Sequence, residues 1–345
     1  MLNLRYKYDR EPILKLNGIQ KKIQIQVSDK INSRKYALES VYCSICGSGN
    51  LELLAEKDRY GIYSPTSICK DCGLIFASPR LTESAYIEFY NSEYRKLYVG
   101  TERPANAFFK GQYLKGIRIA RFFRENGIEY VGKKILEVGC GAGGILKYFR
   151  DQGSAVVGCD LGEEYLAFGR KNYDLDLLHG SIHTVKLPFT PDLVIYSHVF
   201  EHVLDPNKEL ERIRALMHHS SMVYIEVPSV KNICLNYDSD FLKYLQGAHT
   251  YHFTRRTLKN LLSKNGFLDV KSTEYVRSIF VKGSSANSFE SDYSDVLNFL
   301  KRMESRRKYR WFNTSYVLFR AKKILIKTLD TFGILNPIRV VLKRN

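Results

Sequence analysis

A glycine-rich turn in the middle of the chain contains the residues best suited to chemistry. The run from Ile135 to Gly144 reads ILEVGCGAGG, so a short apolar strand ends in the turn and a helix is predicted directly after it. Glycine allows a tight turn and lets backbone N–H groups approach a ligand, while the helix adds the positive end of its dipole. The spacing Gly139, Gly141 and Gly144 also fits the dinucleotide fingerprint, which alone has many false positives. The turn predicts a nucleotide-cofactor site.

Two carboxylates narrow the choice of cofactor. Glu137 lies two residues before the first glycine, where its charge would repel a pyrophosphate but suits the ammonium group of S-adenosylmethionine or its water shell. Asp160 ends the second predicted strand, Ala155 to Asp160, where a carboxylate accepts hydrogen bonds from both ribose hydroxyls, as in NAD sites. Glu137 therefore favours S-adenosylmethionine, and Asp160 indicates a ribose.

Four cysteines in two pairs predict a metal site. Cys43 and Cys46 form one C-x-x-C pair, and Cys69 and Cys72 form a second after 22 intervening residues. Each pair aims two thiolates at one point, which is typical of a tetrahedral, structural Zn²⁺ site. The alternatives are two disulfides or four ordinary buried thiols, and disulfides need an oxidising compartment. The first residues include no apolar stretch of signal-peptide length, so we expect a cytoplasmic, reduced protein.

The segment from Lys133 to Val270 resembles the class I S-adenosylmethionine-dependent methyltransferases. The similarity does not rest on the glycine turn alone, and several further segments carry it. These segments are VVGCD, PDLVIYSHVFEHVLDP, the predicted helix from Asn207 to Met217, MVYIEVPS and YHFTRRTLKNLLSKNGF. Together they are far more specific than any glycine motif.

The resemblance implies an α/β fold, a doubly wound Rossmann-like sheet in which strands and helices alternate from residue 133 to about 282. One departure is visible, because such enzymes often have an acid after the third strand, at the adenine, where this chain reads Gly180-Ser181-Ile182. Ser181 can still hydrogen-bond an amino group. The turn and the resemblance together predict cofactor contacts from Glu137, Gly139, Cys140, Gly141, Gly143, Asp160, Leu161, Ser181, Ile182, Ser197 and His198.

Histidines near the fourth predicted strand are the candidates for catalysis. Methyl transfer to a hydroxyl or an acidic C–H group requires removal of a proton, and histidine is suited to that role. In methyltransferases that this chain resembles, a Glu-His pair faces the acceptor, so His202 is the expected base and Glu201 is expected to orient or polarise its ring. His249 and His252 form a second group on the acceptor side, and His252 is expected to bind substrate or share the base role. The alternative for each histidine is a hydrogen-bonded structural side chain.

The chain divides into four predicted segments. Residues 1–40 are a basic extension, in which the alternation from Lys22 to Val27 predicts an edge strand or hairpin. Residues 41–100 are the zinc-binding module and a tyrosine-rich connector. Residues 101–282 are the methyltransferase domain, which begins with an amphipathic helix near 106–126. Residues 283–345 are a linker and a basic helical tail.

The net charge of +17 is concentrated at the two ends of the chain. Residues 301–345 contain 13 Lys and Arg against 2 acids, residues 1–40 contain 9 against 4, and residues 41–300 contain 31 against 30. An enzyme that modifies transfer or ribosomal RNA would be expected to spread basic residues around its cleft. Apolar residues recur at helical spacing between Ser315 and Phe332, which predicts a basic amphipathic helix. Packing on the domain, attachment to the anionic inner face of a membrane, and RNA contact remain open.

The zinc module, the connector from Leu74 to Arg80 and the methyltransferase domain together resemble bacterial enzymes that methylate sugars. These include sugar-nucleotide C-methyltransferases and relatives encoded with surface-polysaccharide genes. The resemblance covers about residues 41–282, and the 63 residues that follow are too few and too basic for the C-terminal domain of the C-methyltransferases. We therefore expect O-methylation of a sugar or a lipid-carried glycan in polysaccharide biosynthesis. An RNA methyltransferase and an inactive cofactor-binding scaffold are the alternatives.

Overall fold

The structure, a computed structural model, describes residues 1–100, 106–286, 288–307, 317–318 and 321. The strands of this part of the chain are β1 Leu38–Glu39, β2 Leu51–Lys57, β3 Tyr63–Cys69, β4 Ile75–Ala77, β5 Arg80–Leu81, β6 Lys134–Val138, β7 Ala155–Asp160, β8 Leu177–His179, β9 Leu193–Ser197, β10 Met222–Glu226, β11 Tyr251–His252, β12 Phe267–Ser272 and β13 Arg277–Lys282. The α-helices are α1 Gly18–Asn32, α2 Glu83–Phe89, α3 Arg95–Val99, α4 Asn106–Glu125, α5 Gly144–Asp151, α6 Glu163–Tyr173, α7 Pro206–Leu216, α8 Ile233–Asn236, α9 Phe241–Tyr244, α10 Arg255–Lys264 and α11 Tyr293–Arg306.

A seven-stranded mixed sheet forms the centre of the protein, in the order β12-β13-β10-β9-β6-β7-β8. The five strands from β10 to β8 are parallel, whereas β13 is antiparallel to both of its neighbours. The chain proceeds from β6 outward to β8 and then returns to the other side of β6 as β9. Ligands bind in the crevice outside the carboxyl ends of the strands at such a reversal. The predicted Rossmann-like α/β fold is confirmed.

Both faces of this sheet are covered, which explains why its strands are almost continuously apolar. On one face, Ile135 and Ile195 pack with side chains of α4, α5 and α6. On the other, Leu136 and Val194 pack with α7 and α10. Close packing of α4 on α5 depends on Gly116, where a Cβ would lie 2.8 Å from Cβ of Tyr148. The helix predicted near residues 106–126 is confirmed as α4.

A smaller antiparallel sheet has the order β11-β4-β3-β2. Strands β2, β3 and β4 belong to the predicted zinc module, but β11 comes from residues that follow β10. Tyr251 pairs with Phe76, and His252 pairs with Ile75. Helix α11 packs on the same small sheet, and Glu304 of α11 accepts a hydrogen bond from Tyr6 at 2.8 Å. One sheet thus joins segments that are far apart in the sequence.

The strand or hairpin predicted from Lys22 to Val27 is wrong, because these residues lie within helix α1. A reciprocal pair of hydrogen bonds between Asn17 and Gln20 caps the beginning of this helix. Ile23 and Val27 are both buried and are four residues apart, which places them on one face of a helix. The six alternating residues fit the two-residue period of a strand as well as the 3.6-residue period of a helix. The N-terminal cap and the buried face of Ile23 and Val27 favour the helix.

Most of the basic tail lies outside the described residues. Of the amphipathic helix predicted between Ser315 and Phe332, the structure describes only residues 317–318 and 321. That prediction is therefore left as it stands. None of the described helices is both long enough and apolar enough to span a bilayer.

Candidate active site

The glycine turn lies between β6 and α5, at the carboxyl edge of the central sheet. Gly139, Gly141 and Gly143 have positive φ angles of 69°, 55° and 77°, which residues with a Cβ rarely adopt. A Cβ at Gly139 would also lie 2.4 Å from Cγ2 of Val199, which leaves no room for a side chain. The turn after β6 therefore touches the segment that follows β9, so the predicted cofactor and acceptor regions are neighbours.

Cys140 contributes only its backbone to this turn. Its side chain is fully buried and its Sγ lies against β7, so that a Cβ at Gly158 would be 2.6 Å from that sulfur. The carbonyl of Cys140 accepts a hydrogen bond of 2.9 Å from Nε2 of Gln112, a residue of α4. Gln112 Oε1 accepts a second bond, of 3.3 Å, from the N–H of Gly144. The sequence did not indicate this brace, because it depends on how α4 packs.

Asp160 lies at the end of β7 and is almost completely buried. Its two carboxylate oxygens accept hydrogen bonds from the N–H groups of Gly141, at 2.9 Å, and Gly162, at 2.7 Å. Asp160 therefore ties the glycine turn to the loop after β7. Leu161 on that loop is 41% exposed, and the guanidinium of Arg95 lies 3.9 Å from Asp160. The predicted contact of Asp160 with a ribose stays a prediction.

The carboxyl end of β8 lies beside this loop. Gly180 at that end has a positive φ angle of 136°. The N–H of Ser181 donates to Oγ1 of Thr184 at 3.1 Å, and Ile182 is buried. These residues lie where the resemblance predicts the adenine contact, and the backbone N–H of Ser181 is already bonded.

Two buried polar groups lack partners at the ends of β6 and β9. Oε2 of Glu137 and Oγ of Ser197 have no hydrogen-bond partner among the described residues. Burial raises the pKa of Glu137 well above its usual value, and the ammonium group of Lys115 opposes this shift. A buried carboxyl oxygen and a buried hydroxyl without partners, beside a braced glycine turn, fit the amino-acid end of S-adenosylmethionine, whose ammonium group can donate to Glu137.

A cleft of about 590 Å³ lies next to this turn, outside the carboxyl ends of β9 and β10. His198, the first residue after β9, has a positive φ angle of 57°, and its N–H donates to the carbonyl of Glu226 at 2.8 Å. A short 3₁₀ turn, Phe200–His202, follows it. This irregular backbone directs Glu201 and His202 towards the cleft, which both residues line.

Glu201 lies at the centre of a cluster of histidines. Its carboxylate is buried, and neither oxygen has a hydrogen-bond partner among the described residues. Three imidazole nitrogens surround Oε1, at 3.7 Å for Nδ1 of His198, 3.8 Å for Nε2 of His249 and 4.0 Å for Nε2 of His202. The structure thus brings His249 into the same group as the predicted Glu-His pair.

His252 lies behind this cluster. It belongs to β11, its ring centroid is 6.0 Å from that of His249, and it packs against Tyr244 at 5.2 Å. Burial lowers the pKa of His202, lowers that of His249 well below its usual value, and lowers that of His252 to about 3. Burial therefore keeps the three imidazoles neutral near pH 7.

Several cleft residues were not identified from the sequence. The ring of Tyr94 meets the ring of His202 edge-on at 5.6 Å, and burial raises the pKa of this tyrosine to about 12. Arg118 and Arg277 also line the cleft, and both pair with Glu226, at 3.4 and 3.1 Å. Tyr94 belongs to the tyrosine-rich connector, whereas the two arginines come from α4 and β13 and had no local signal.

The four predicted metal ligands converge. Their sulfur atoms all lie within 4.8 Å of one another, with Cys43 and Cys72 at 3.3 Å and Cys46 and Cys69 at 3.5 Å. Four sulfurs at 2.3 Å from one tetrahedral ion would be about 3.8 Å apart. All four cysteines are free thiols, so the disulfide alternative is not observed. The cluster is compatible with one four-coordinate ion.

Comparison with known proteins defines the class of domain. Residues 112–272 match the family model of a methyltransferase domain. This match covers β6 to β10, the glycine turn and most of the residues that line the cleft. With the confirmed fold, it identifies these residues as a methyltransferase domain of the class I, S-adenosylmethionine-dependent type.

Individual proteins resemble this chain either over a short segment of sequence or over a longer structural alignment with low sequence identity. The ubiquinone biosynthesis O-methyltransferase of Aliivibrio fischeri (strain MJ11) is 36% identical over 89 residues, which are 24% of this chain and 38% of that protein. The mitochondrial enzyme of that name from Schizosaccharomyces pombe is 34% identical over 92 residues, or 24% and 33% of the two chains. The chain thus spans well under half the length of these relatives. The structure of magnesium protoporphyrin IX methyltransferase from Synechocystis PCC 6803 aligns with a TM-score of 0.44 and 15% identity, over 59% of this chain and 100% of that one.

Proposed function

We propose that this protein transfers a methyl group from S-adenosylmethionine to a hydroxyl group of a sugar or a lipid-carried glycan. The observation that carries the proposal is the contact between the glycine turn after β6 and the segment after β9. Gly139 lies against Val199. In the sequence, Val199 stands between His198 and the 3₁₀ turn that carries Glu201 and His202. A cofactor held at the turn is thereby next to a cleft lined by histidines.

The chain's own residues account for binding and for the proton. When bound, S-adenosylmethionine supplies an electrophilic methyl group on a sulfonium. Glu137 and Ser197 offer unpartnered acceptors at one end of the site, and Asp160 offers a buried carboxylate at the other. The cluster around Glu201 lies where the acceptor hydroxyl must lose its proton, and His202 is the residue expected from the sequence to take part.

The lining of the cleft favours a hydroxyl-rich acceptor. Besides the two arginines, the cleft is lined by the polar side chains of Asn232, Asn236, Tyr237 and Gln246. Amide and phenol groups can donate to and accept from sugar hydroxyls. The partial relatives are named for ubiquinone biosynthesis, and a long apolar chain inside the cleft would find few apolar partners among these side chains.

We also propose that Cys43, Cys46, Cys69 and Cys72 bind one structural Zn²⁺. Three of the four are buried, and they belong to the same core as the face of the central sheet that carries α7 and α10. Four thiolates complete a tetrahedral shell, so this ion would have no open position for a substrate. Its contribution is therefore to folding.

The decisive experiment measures cofactor binding and methyl transfer on the full chain. We expect calorimetry to show one S-adenosylmethionine site, and labelled cofactor to pass its methyl group to sugar nucleotides or lipid-linked glycans. Transfer to RNA or to a demethylated quinone instead would overturn the choice of acceptor. Binding without transfer to any acceptor would indicate a scaffold.

A matched pair of variants tests the cleft. His202→Gln should leave cofactor affinity nearly unchanged and lower kcat by roughly 10²- to 10⁴-fold, the usual contribution of a group that assists proton removal. His252→Gln replaces an equally buried histidine that lies behind the cluster, and it should lower kcat far less. Equal losses in the two variants would show that the cluster does not act in the reaction.

A further inference from the structure

The carboxylate of Glu201 is buried at the base of the cleft without any hydrogen-bond donor in the described part of the chain. It is 2% exposed, and both of its oxygens lack a partner. A buried carboxylate in this state is unfavourable unless a donor or a cation meets it. The described ion pairs of Glu201 involve histidines only, because Arg118 and Arg277 face Glu226 instead. The site thus has a buried acceptor that no donor among the described residues satisfies.

The spacing around Glu201 suits ligands of a single ion. The nitrogens of His249 and His202 lie 3.8 and 4.0 Å from Oε1, too far for hydrogen bonds. Two ligand atoms that are each about 2.0–2.2 Å from one ion lie roughly 3.0–4.2 Å apart, depending on the angle between them. The ligand atoms of Glu201, His202 and His249 all lie within 4.8 Å of one another.

We propose that Glu201, His202 and His249 bind one divalent transition-metal ion at the base of the acceptor cleft. Two imidazoles and a carboxylate form the ligand set of a catalytic site, which keeps at least one position open for water or substrate. This set differs from the four thiolates of the cysteine cluster, which leave no position open. The amide nitrogen of Gln246 contacts Nε2 of His249, and its amide oxygen accepts a hydrogen bond from Arg59. An ion bound to Nε2 of His249 would take the place of the Gln246 amide there.

The role of the ion rests on the proposed function. A metal ion lowers the pKa of an oxygen acid that it binds, so an acceptor hydroxyl in the open position loses its proton more readily. The O–H bond breaks and the proton leaves to water in the cleft. The oxygen then forms a bond to the methyl carbon, and the electron pair of the carbon–sulfur bond stays on sulfur. Two neighbouring hydroxyls would bind the ion best, which points to a sugar with a vicinal diol.

The test uses the full chain with Zn²⁺ in the cysteine cluster and Co²⁺ as the probe. We expect one equivalent of Co²⁺ to bind with the weak visible bands of nitrogen and oxygen ligands and without the intense absorption of thiolate ligation. Loss of a residue that hydrogen-bonds to a metal ligand lowers metal affinity roughly 10- to 100-fold. Glu201→Gln and His249→Gln remove a ligand itself, so each should weaken Co²⁺ binding by at least that factor.

Glu226→Gln is the matched control, because this glutamate is also buried and lines the same cleft but is satisfied by two arginines. It should bind Co²⁺ as the unaltered protein does. If either ligand variant does not fold, the Co²⁺ spectrum of the unaltered protein still decides the point. No spectrum, a thiolate spectrum, or equal affinities for the Glu201 and Glu226 variants would overturn the metal site.

The same measurements separate this inference from the proposed function. Co²⁺ binding without methyl transfer to any glycan would leave the metal site standing and reject the sugar acceptor. Methyl transfer that is lost in His202→Gln, in a protein that binds no Co²⁺, would leave the function standing and reject the metal site.

Discussion

We expect Glu137 to couple cofactor binding to the release of a proton. Burial raises the pKa of its carboxyl group well above the usual value, so the free protein holds a proton there at a pH where an exposed glutamate would be ionised. An ammonium group bound beside it favours the carboxylate. The free protein therefore binds more protons than the complex, so the affinity for S-adenosylmethionine should increase as pH rises towards the raised pKa and level off above it.

Calorimetry in buffers with different heats of ionisation measures this proton directly. We expect proton release on binding by the unaltered protein and less release by Glu137→Gln, whose amide does not titrate. The amino group of the cofactor titrates equally in both experiments, so the difference isolates Glu137. Equal release by the two proteins would contradict the coupling.

Asp160 supports the fold of the predicted cofactor site through its two backbone hydrogen bonds. Asp160→Ala removes the acceptor of two backbone N–H groups, and each buried donor left unpaired costs roughly 1–3 kcal/mol. We expect at least a tenfold loss of cofactor affinity, by roughly 1.4 kcal/mol per factor of ten, together with a lower melting temperature. Asp151→Ala is the control, because Asp151 forms an exposed pair with Lys147 that contributes little. If both variants behaved alike, Asp160 would have no special role.

At the residue scale, the sequence predicted the groups that are held by local structure. The glycine turn and Asp160 follow strands directly, so their positions depend on neighbouring residues. His249 is different, because it lies 47 positions after His202 and only the tertiary fold brings their ring centroids to 4.7 Å. Gln112 and Arg277 likewise reach the site from elements whose packing no local pattern reveals.

At the scale of elements, the two-residue strand β11 has a large effect. It adds an edge to the small sheet, and the adjacent Thr250 donates through Oγ1 to the carbonyls of Glu201, at 3.1 Å, and Val203, at 2.9 Å. The small sheet therefore holds the loop of His249 against the turn of Glu201. Two residues carry no periodic signal, so the sequence could not predict this strand or its register.

Because the small sheet joins the cysteine cluster to the Glu201 turn, loss of the proposed zinc ion should affect the cleft as well as stability. Cys43→Ser should lose Zn²⁺ and lower the melting temperature by at least about 5 °C, because a structural zinc site contributes several kcal/mol. Through β4 and β11, it should also lower turnover more than cofactor affinity. Metal analysis, thermal unfolding and calorimetry check the three effects.

Cys234→Ser is the control for that variant, since Cys234 is an exposed thiol outside the cluster. It should keep its Zn²⁺, its melting temperature and its turnover. A Cys43→Ser protein that retained full zinc and unchanged unfolding would show that the four thiolates do not form a closed site.

At the scale of the whole molecule, alternation of strands and helices was enough to predict the central sheet. The packing of the N-terminal residues against α11 was not predictable. The N-terminal residues meet the other end of the described chain, where Tyr6 and Asn3 donate to Glu304. Arg5 pairs with Asp240, 235 positions away. Such contacts join segments that have no signal in common, and they surround the small sheet rather than the site.

The concentration of positive charge in the tail predicts binding to anionic membranes. Residues 309–345 contain 8 Lys and Arg against 1 acid, and each basic residue near an anionic membrane contributes roughly 1 kcal/mol. We expect the full chain to sediment with vesicles rich in anionic lipid, to remain in solution with neutral vesicles, and to be released by salt. Truncation after Lys308 should abolish sedimentation. Lysines in the tail and elsewhere allow a charge-matched comparison.

Replacement of Lys322, Lys323 and Lys327 by Glu should remove binding, because it reverses three charges in the segment where apolar residues recur at helical spacing. The same change at the exposed Lys21, Lys22 and Lys259 alters the net charge equally and should leave most of the binding intact. Equal loss in the two triple variants would mean that net charge alone attracts the protein to the vesicle. Equal sedimentation of the full and truncated chains would assign the tail to packing on the domain, and binding to RNA but not to vesicles would assign it to nucleic acid.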